Sequence, residues 1–199
     1  MSSLKSQPSD PILLFRQWFE EAKRAKTIVD ATAMCLSSVD ARGLPDARMV
    51  LLKHYDARGY VFYTNLRSAK GKQLEKHPQA ALTFHWDALQ KQVRMQGKTE
   101  IVSDEEADAY WKTRARLSQL GAWASRQSEP LSSRAVLLKD VAKLALQYGV
   151  RPVPRPLWWT GVRVIPHQIE FWQGQLNRLH DRFLYTRKGD GWQVQRLYP

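Results

Sequence analysis

The chain has 199 residues and a formal net charge of +12 at neutral pH, with 43% hydrophobic and 25% charged residues. This is the composition of a globular protein, and the length fits a single domain that buries its core without disulfides or a metal. A basic chain can bind nucleic acid, an acidic membrane surface or small polyanions, but the scattered Lys and Arg residues argue against a basic tail or arm.

The lone cysteine and the N-terminal sequence bear on location. A single thiol at Cys35 argues against a disulfide framework or a zinc site and favours a reducing compartment. The N-terminal MSSLKSQPSDP has no apolar segment of a signal peptide, and no apolar run in the chain has the length that spans a bilayer. We therefore expect a cytoplasmic protein with no metal site and no membrane partner.

The first half of the chain predicts one helix followed by an antiparallel meander. Asp10-Pro11 is a helix start with an N-cap and a proline at the first position. Later segments alternate or cluster apolar residues in strand-like runs bounded by turn residues. We predict strands over 32–39, 47–54, 60–64, 80–86 and 92–101, with a polar helix over 68–77.

The second half predicts a block of helices and then more strands. The capping box of Ser103 and Glu106 begins a helix, and two further helices are predicted over 114–125 and 132–148. Strands follow over 161–165, 168–172, 181–186 and 192–197, the last two joined by a turn at 188–191. Strands in series with helices inserted in blocks predict an α+β fold, mainly antiparallel β, built as a barrel with peripheral helices.

Residues 170–182, EFWQGQLNRLHDR, concentrate the groups that suit an aromatic anion. Phe171 and Trp172 offer ring faces, Arg178 and Arg182 offer forked donors, and His180 can change charge near neutrality. In a strand the last three residues would share one face. The alternative is an edge strand with a solvated basic face, and the residues alone leave both open.

The sequence lacks the motifs for binding dinucleotides, nucleotide triphosphates or zinc and for serine hydrolysis. The prediction of a functional site therefore rests on phosphate-compatible groups in strands and at helix starts. Each is singly more typical of solvated surface, but together they supply two separated anion sites. Arg48 and Lys53 are five residues apart and would face opposite sides of a regular strand. The remaining groups are Ser68, Lys70, Arg114, Ser118, Gln127 and Ser128.

Six segments resemble the pyridoxamine 5′-phosphate oxidases, FMN enzymes of vitamin B6 metabolism with a split-barrel fold. They are DPILLF at Asp10, RMVLLKHYD at Arg48, FYTN at Phe62, QV at Gln92, SQLGAWAS with QS over 118–128, and IEFWQG with RLHDRFLY near the end. The resemblance implies one FMN-binding Greek-key split barrel over 1–199. Residues 1–9 would be flexible, and a dimerisation and substrate region would occupy about 156–199. It also implies a homodimer with two FMN molecules in clefts between the subunits.

The resemblance also assigns roles to individual residues. It implies cofactor contacts at Arg48, Met49, Val50, Leu51, Leu52, Lys53, Tyr63, Thr64, Lys70, Gln92, Gln127, Ser128, Trp172 and Arg182. It implies substrate contacts at Lys53, Tyr110, Arg114, Ser118, Arg178, Leu179 and His180. Arg178 and His180 would act in catalysis, the first over the substrate ring and the second on its ring oxygen.

The implied activity is oxidation of pyridoxamine and pyridoxine 5′-phosphates by dioxygen, giving pyridoxal 5′-phosphate and hydrogen peroxide, with no nucleic-acid partner. Departures from the family pattern keep alternatives open. Ala69 stands where the family has an Arg before Lys70, so the cofactor phosphate loses a donor unless Arg67 or Lys72 substitutes. The alternatives are a split-barrel paralogue that holds flavin or pyridoxal phosphate without turnover, and a nucleic-acid binder, which the charge of +12 would favour.

Overall fold

The structure is a computed structural model that describes residues 8–199. Residues 1–9 were predicted to be flexible, and residues 1–7 of that range lie outside the described residues. Within 8–199 the elements are α1 (Pro11–Arg24), β1 (Ala33–Val39), β2 (Pro45–Leu51), β3 (His54–Asp56), β4 (Gly59–Asn65), α2 (Ala69–Lys76), β5 (Gln79–Trp86), β6 (Lys91–Ile101), α3 (Asp104–Thr113), α4 (Arg116–Ala124), α5 (Arg134–Tyr148), β7 (Trp159–Gln173), β8 (Asp181–Lys188) and β9 (Gly191–Leu197).

The strands form one sheet in which β7 is the central element. The order is β2-β1-β5-β6-β7-β4-β3, with β8 and β9 added beside β7, and each pairing is antiparallel. One edge of β7 pairs with β6, while the other pairs first with β4 and then with β8. A bulge after Gln96 bends the β6–β7 pair. Gly97 is required there, because a Cβ would lie 2.0 Å from the carbonyl oxygen of Ile165.

Helix α1 lies inside the curve of this sheet. Asp10 caps its first turn as predicted. Phe15 is fully buried, and its ring lies 4.9 Å from Tyr55, 4.9 Å from Tyr60 and 5.2 Å from Phe84. These three partners belong to β3, β4 and β5, so strands from distant parts of the sheet order meet around one helix. The predicted α+β split barrel, mainly antiparallel with peripheral helices, is confirmed.

The predicted second strand is in fact interrupted. The backbone N–H of Leu52 bonds to Thr32, whereas that of the next residue, Lys53, bonds to Val61. The chain thus changes neighbours between these two residues, leaving β2 on the β1 side and entering β3 on the β4 side. The prediction that one regular strand carries both Arg48 and Lys53 is therefore wrong, and the alternation argument for opposite faces does not apply to them.

The predicted alternation of Arg178, His180 and Arg182 along one strand is also wrong. β7 and β8 are joined by a 3-10 turn in which Asn177 and Arg178 have φ of 56° and 62°. An antiparallel pair needs a chain reversal between its two strands, and Arg178 and His180 lie in that reversal. Of the three residues, only Arg182 lies on a strand. The two strands predicted at 161–165 and 168–172 are, conversely, parts of the continuous β7.

The helices follow the prediction with shifted ends. Ser103 caps α3 by accepting from the backbone N–H of Glu106 as predicted, but the Glu106 carboxylate, the other half of the predicted capping box, accepts from Arg58 and Arg163 instead. The helix predicted over 114–125 is α4, Arg116–Ala124, and the one predicted over 132–148 is α5, Arg134–Tyr148. In the part of the chain that the structure describes, no helix combines the length and apolar character needed to cross a membrane.

Candidate active site

A cleft of about 460 Å³ opens beside the ends of β2 and β4, under helices α2, α3 and α4. Five of its lining residues were not assigned a site role from sequence: Asn65, Gly121, Ala122, Ser125 and Trp159. Asn65 belongs to the FYTN segment, and Gly121, Ala122 and Ser125 belong to the SQLGAWAS segment, which were the available signals for them. Eleven predicted site residues also line the cleft, drawn from both the cofactor and the substrate sets: Met49, Val50, Leu51, Lys53, Tyr63, Thr64, Lys70, Tyr110, Arg114, Ser118 and Gln127.

The cleft is electropositive. Lys53, Lys70 and Arg114 line it, and no Asp or Glu is among the described residues of its wall. Lys53 lies at the corner between β2 and β3, Lys70 lies at the start of α2, and Arg114 directly follows α3. Cations that a concave wall brings together without carboxylates favour an anionic ligand.

Arg114 is held by aromatic rings rather than by carboxylates. Its guanidinium lies 4.5 Å from the ring of Trp159 and 5.2 Å from that of Trp111. Its Nη1 atom is buried and has no hydrogen-bond partner within the described chain, and burial lowers the pKa of this group. A buried cationic donor without an acceptor costs free energy. The arrangement therefore fits an anion that accepts from Arg114 inside the cleft.

Stacked rings form the wall beside this guanidinium. Tyr63 and Tyr110 stack with centroids 4.0 Å apart and planes inclined by 20°, and Trp159 lies 5.2 Å from Tyr63 on a nearly parallel plane. The hydroxyl of Tyr63 donates to the carbonyl oxygen of Glu106 at 3.3 Å. Burial raises the pKa of both tyrosines, so both stay neutral donors near neutral pH. The rings give Arg114 a rigid support.

The start of α2 forms a polar cradle at the other end of the cleft. Ser68 is the N-cap, and the N–H of Ala69 donates to the hydroxyl of Ser128 at 3.2 Å. Lys70 Nζ donates to the side-chain oxygen of Gln127 at 3.2 Å, and burial lowers the pKa of this lysine. The loop after α4 is thereby joined to a helix N-terminus, where free N–H groups and the helix dipole favour an anion.

Arg48 lies behind this cradle and does not line the cleft. Its Nη1 donates to the hydroxyl of Ser38 at 2.6 Å, and its Nη2 donates to Asp46 at 2.5 Å and to Gln73 at 2.9 Å. Its charge acts on the cradle, since it helps to lower the pKa of Lys70. The role of Arg48 as a direct cofactor contact stays a prediction.

The remaining predicted residues do not reach this cleft within one chain. Leu52 is buried in the core, as is Phe171, so the prediction that Phe171 offers a ring face to a ligand is wrong. Ser128 lies in the loop beside the cradle. The others form a second group around β6, β7, β8 and the β7–β8 turn: Gln92, Trp172, Arg178, Leu179, His180 and Arg182. Gln92 pairs with Trp172, and Trp172 pairs with Arg182, so these three form one row across the sheet.

The β7–β8 turn fixes the tautomer of His180. The backbone N–H of Gln175 donates to His180 Nδ1 at 3.2 Å, and the rings of His180 and Trp172 lie 4.6 Å apart. A neutral imidazole that accepts at Nδ1 carries its hydrogen on Nε2. The side chain of Gln175 also donates to Asp181 at 3.0 Å, which closes the turn around the left-handed Arg178.

Comparison with known proteins matches two family models along the chain. Residues 20–148 match "Pyridoxamine 5'-phosphate oxidase", and residues 159–199 match "Pyridoxine 5'-phosphate oxidase C-terminal dimerisation region". The chain is 54% identical over 190 residues to the pyridoxine/pyridoxamine 5'-phosphate oxidase of Caulobacter vibrioides, covering 96% of this chain and 85% of that one. It is 53% identical over 192 residues to the enzyme of the same name from Myxococcus xanthus, covering 96% and 93%.

Two solved structures are similar over nearly the whole chain. PhzG from Burkholderia lata, in complex with tetrahydrophenazine-1-carboxylic acid, has a TM-score of 0.91 at 31% identity, covering 98% of this chain and 95% of that one. A pyridoxamine 5'-phosphate oxidase-related, FMN binding protein from Nostoc punctiforme has a TM-score of 0.78 at 18% identity, covering 97% and 100%. The second likeness shows the shared fold alone.

Proposed function

The chain belongs to the pyridoxamine 5′-phosphate oxidase family, and we propose that it oxidises pyridoxamine 5′-phosphate and pyridoxine 5′-phosphate to pyridoxal 5′-phosphate, in B6 synthesis and salvage. The cofactor in this proposal is FMN, the acceptor is dioxygen, and the lone Cys35 supports a cytoplasmic setting. When bound, FMN supplies a two-electron acceptor that dioxygen reoxidises with formation of hydrogen peroxide. Oxidation of the amine also consumes water and releases ammonia.

The observation that carries the proposal is Arg114, whose Nη1 has no hydrogen-bond partner among the described residues, in a cleft whose described wall holds no carboxylate. Its buried Nη1 lacks an acceptor, and the cleft wall beside it holds Lys53, Tyr110 and Ser118. A phosphate dianion satisfies such a group through charge-assisted hydrogen bonds. We infer that these four residues hold the substrate phosphate and thereby fix the position of the ring to be oxidised.

The cradle at α2 fits the second phosphate, that of FMN. Lys70 is half-buried beside a helix N-terminus and has an amide oxygen, not a carboxylate, as its partner in the adjoining loop. We infer that Lys70, Gln127 and Ser128 bind the phosphate end of the cofactor, while the buried Ser68 caps the helix behind them. The backbone of β2 over 49–51, which lines the same cleft, is then available to the flavin ring.

A second copy of the chain supplies the rest of the proposed site. The row of Trp172 and Arg182 and the turn with Arg178 and His180 lie outside the cleft of their own chain, within the region that matches a dimerisation model. We infer a homodimer in which these residues face the cleft of the other copy. Arg178 then covers the substrate ring, and the Nε2–H of His180 donates to its ring oxygen.

The test is turnover by the purified, FMN-loaded protein. Pyridoxine 5′-phosphate should yield equal amounts of pyridoxal 5′-phosphate and hydrogen peroxide, while phosphate-free pyridoxine should react far more slowly. Replacing Arg178 by Ala should remove turnover and leave the flavin bound. A yellow protein that forms no peroxide would point instead to a non-catalytic carrier, and a protein that takes up no FMN would overturn both readings.

A further inference from the structure

The sheet places a second row of residues, Arg94, Glu170 and Leu184, directly behind the row that carries Arg182. Strand register pairs Arg94 with Glu170 and Glu170 with Leu184, two residues along from the row of Trp172 and Arg182. Residues two apart on a strand share a face. Glu170 therefore lies on the same face as Arg182, one row further from the β7–β8 turn.

Glu170 is a buried carboxylate with both oxygens occupied. Oε1 accepts from Arg182 Nε at 2.9 Å and Oε2 accepts from Arg94 Nη2 at 2.9 Å, and the side chain is 6% exposed. Burial opposes ionisation, but the hydrogen bonds and charges of the two arginines outweigh it and lower the pKa of Glu170. A buried carboxylate is tolerated only when it is paired in this way.

The contact with Glu170 restricts how Arg182 can present its guanidinium. Nε is engaged by Glu170, and Nη1 donates to the carbonyl oxygen of Tyr198 at 2.9 Å. A planar group anchored at two of its nitrogens has one orientation, so the remaining donors are aimed before any ligand arrives. Arg94 does not take part in anchoring Arg182, because it lies on β6 and donates to the other carboxylate oxygen of Glu170.

We propose that Glu170 is a positioning residue that orients Arg182 for contact with the flavin; this rests on the proposed function. It acts through Arg182 and not by touching the cofactor. Loss of the carboxylate frees Nε, lets the guanidinium rotate and weakens flavin binding, while the sheet itself keeps its strand pairing.

The test measures FMN dissociation constants by quenching of flavin fluorescence, together with the visible circular dichroism of the bound flavin. Glu170→Gln should raise the dissociation constant about tenfold, the scale of one charge-assisted hydrogen bond, and change the dichroism. Arg94→Gln, which removes the other guanidinium from the same carboxylate, should stay within about threefold of the unaltered protein. In the Arg182→Gln background, Glu170→Gln should have no further effect, because its route to the flavin is gone.

Equal effects of Glu170→Gln in both backgrounds would overturn the inference, since a purely structural carboxylate acts additively. Unchanged FMN affinity in Glu170→Gln would also overturn it and would leave the proposed function standing. A protein that takes up no FMN overturns the proposed function and this inference with it. If Glu170→Gln does not fold, Glu170→Asp, which keeps the charge but withdraws it by one methylene, is judged by the same criteria.

Discussion

The guanidinium of Arg114 lies 4.5 Å from the ring of Trp159, and its buried Nη1 has no acceptor within residues 8–199. Arg163, which is almost fully buried, is treated differently: Glu100 and Glu106 neutralise its charge, although its Nε is also buried without a hydrogen-bond partner among the described residues. A ring face supports a cation without cancelling its charge, so Arg114 keeps its full electrostatic pull for a ligand. The uncancelled charge of Arg114 is the reason for proposing it, and not Arg163, as a phosphate-binding residue.

Replacing Arg114 by Met should therefore separate binding from stability. We expect kcat/KM for pyridoxine 5′-phosphate to fall about tenfold to a hundredfold, mostly through KM, because one charge-assisted contact to the phosphate is lost. Phosphate-free pyridoxine should be affected little. Thermal denaturation of the cofactor-free protein should shift upwards, since an unpaired buried charge is removed.

The control for that change is Lys112→Met, which removes an exposed cation from the preceding turn of α3. It should leave both kinetic constants near their original values. Loss of activity with both substrates in Arg114→Met would contradict a phosphate-specific role for this arginine.

Lys70 should matter for FMN and its neighbour Lys72 should not. Lys70 is partly buried in the cleft and bonded to Gln127, whereas Lys72 is exposed on the same helix. We expect Lys70→Met to raise the FMN dissociation constant about tenfold or more and to reduce its dependence on salt, because an ion contact is lost. Titration of fluorescence quenching at two ionic strengths measures both. Matching losses in Lys72→Met would mean that only the general charge of α2 attracts the cofactor.

Local sequence signals predicted most of the fold, and contacts between distant segments decided the rest. Capping by Asp10 and Ser103 could be predicted because a cap depends on residues two or three positions away. The switch of partner at Leu52 and Lys53 could not, since it depends on the positions of Thr32 and Val61. The same holds for the pairing of Glu170 with Arg182, which becomes visible only when β7 and β8 are in register.

Phe15 should be the most costly single truncation in α1. It is fully buried and meets rings from three strands, while Leu13 on the same helix is 47% exposed. We expect Phe15→Ala to lower the free energy of unfolding by about 3–5 kcal/mol and Leu13→Ala by less than about 1 kcal/mol. Denaturant unfolding of the cofactor-free protein measures this difference. Similar losses in the two variants would show that α1 is not the centre of the core.

The contribution of Asp56 to stability should be lost over a defined acidic range. Burial alone would raise its pKa, but hydrogen bonds from the side chain and backbone of Arg58 and from His54 lower the pKa to about 2. A carboxyl group with a depressed folded-state pKa stabilises the fold above its unfolded pKa, near 3.8, and loses that effect as pH falls through about 2.

Unfolding free energies of the unaltered protein and of Asp56→Asn, compared from pH 6 down to pH 2, should therefore differ most above about pH 4 and converge below it. Asp190→Asn, in the exposed turn between β8 and β9, is the control. A difference in unfolding free energy between the unaltered protein and Asp56→Asn that stays constant from pH 6 to pH 2 would contradict the lowered pKa of Asp56.

Ala69 is the position at which FMN affinity should be improvable. It is exposed at the first position of α2, where its N–H bonds to Ser128, and it brings no side-chain donor to the cradle. Arg67 does not compensate, because its guanidinium lies 4.0 Å from the ring of Trp158. Ala69→Arg should tighten FMN binding by about tenfold or more and make it more sensitive to salt, since a forked donor is added beside the phosphate. Ala69→Gln, of similar length but uncharged, should change affinity by less than about threefold. Equal affinities of the two variants would mean that Lys70 and the helix N-terminus already satisfy the hydrogen-bonding groups of the phosphate. An arginine at this position would then add no FMN affinity in this chain.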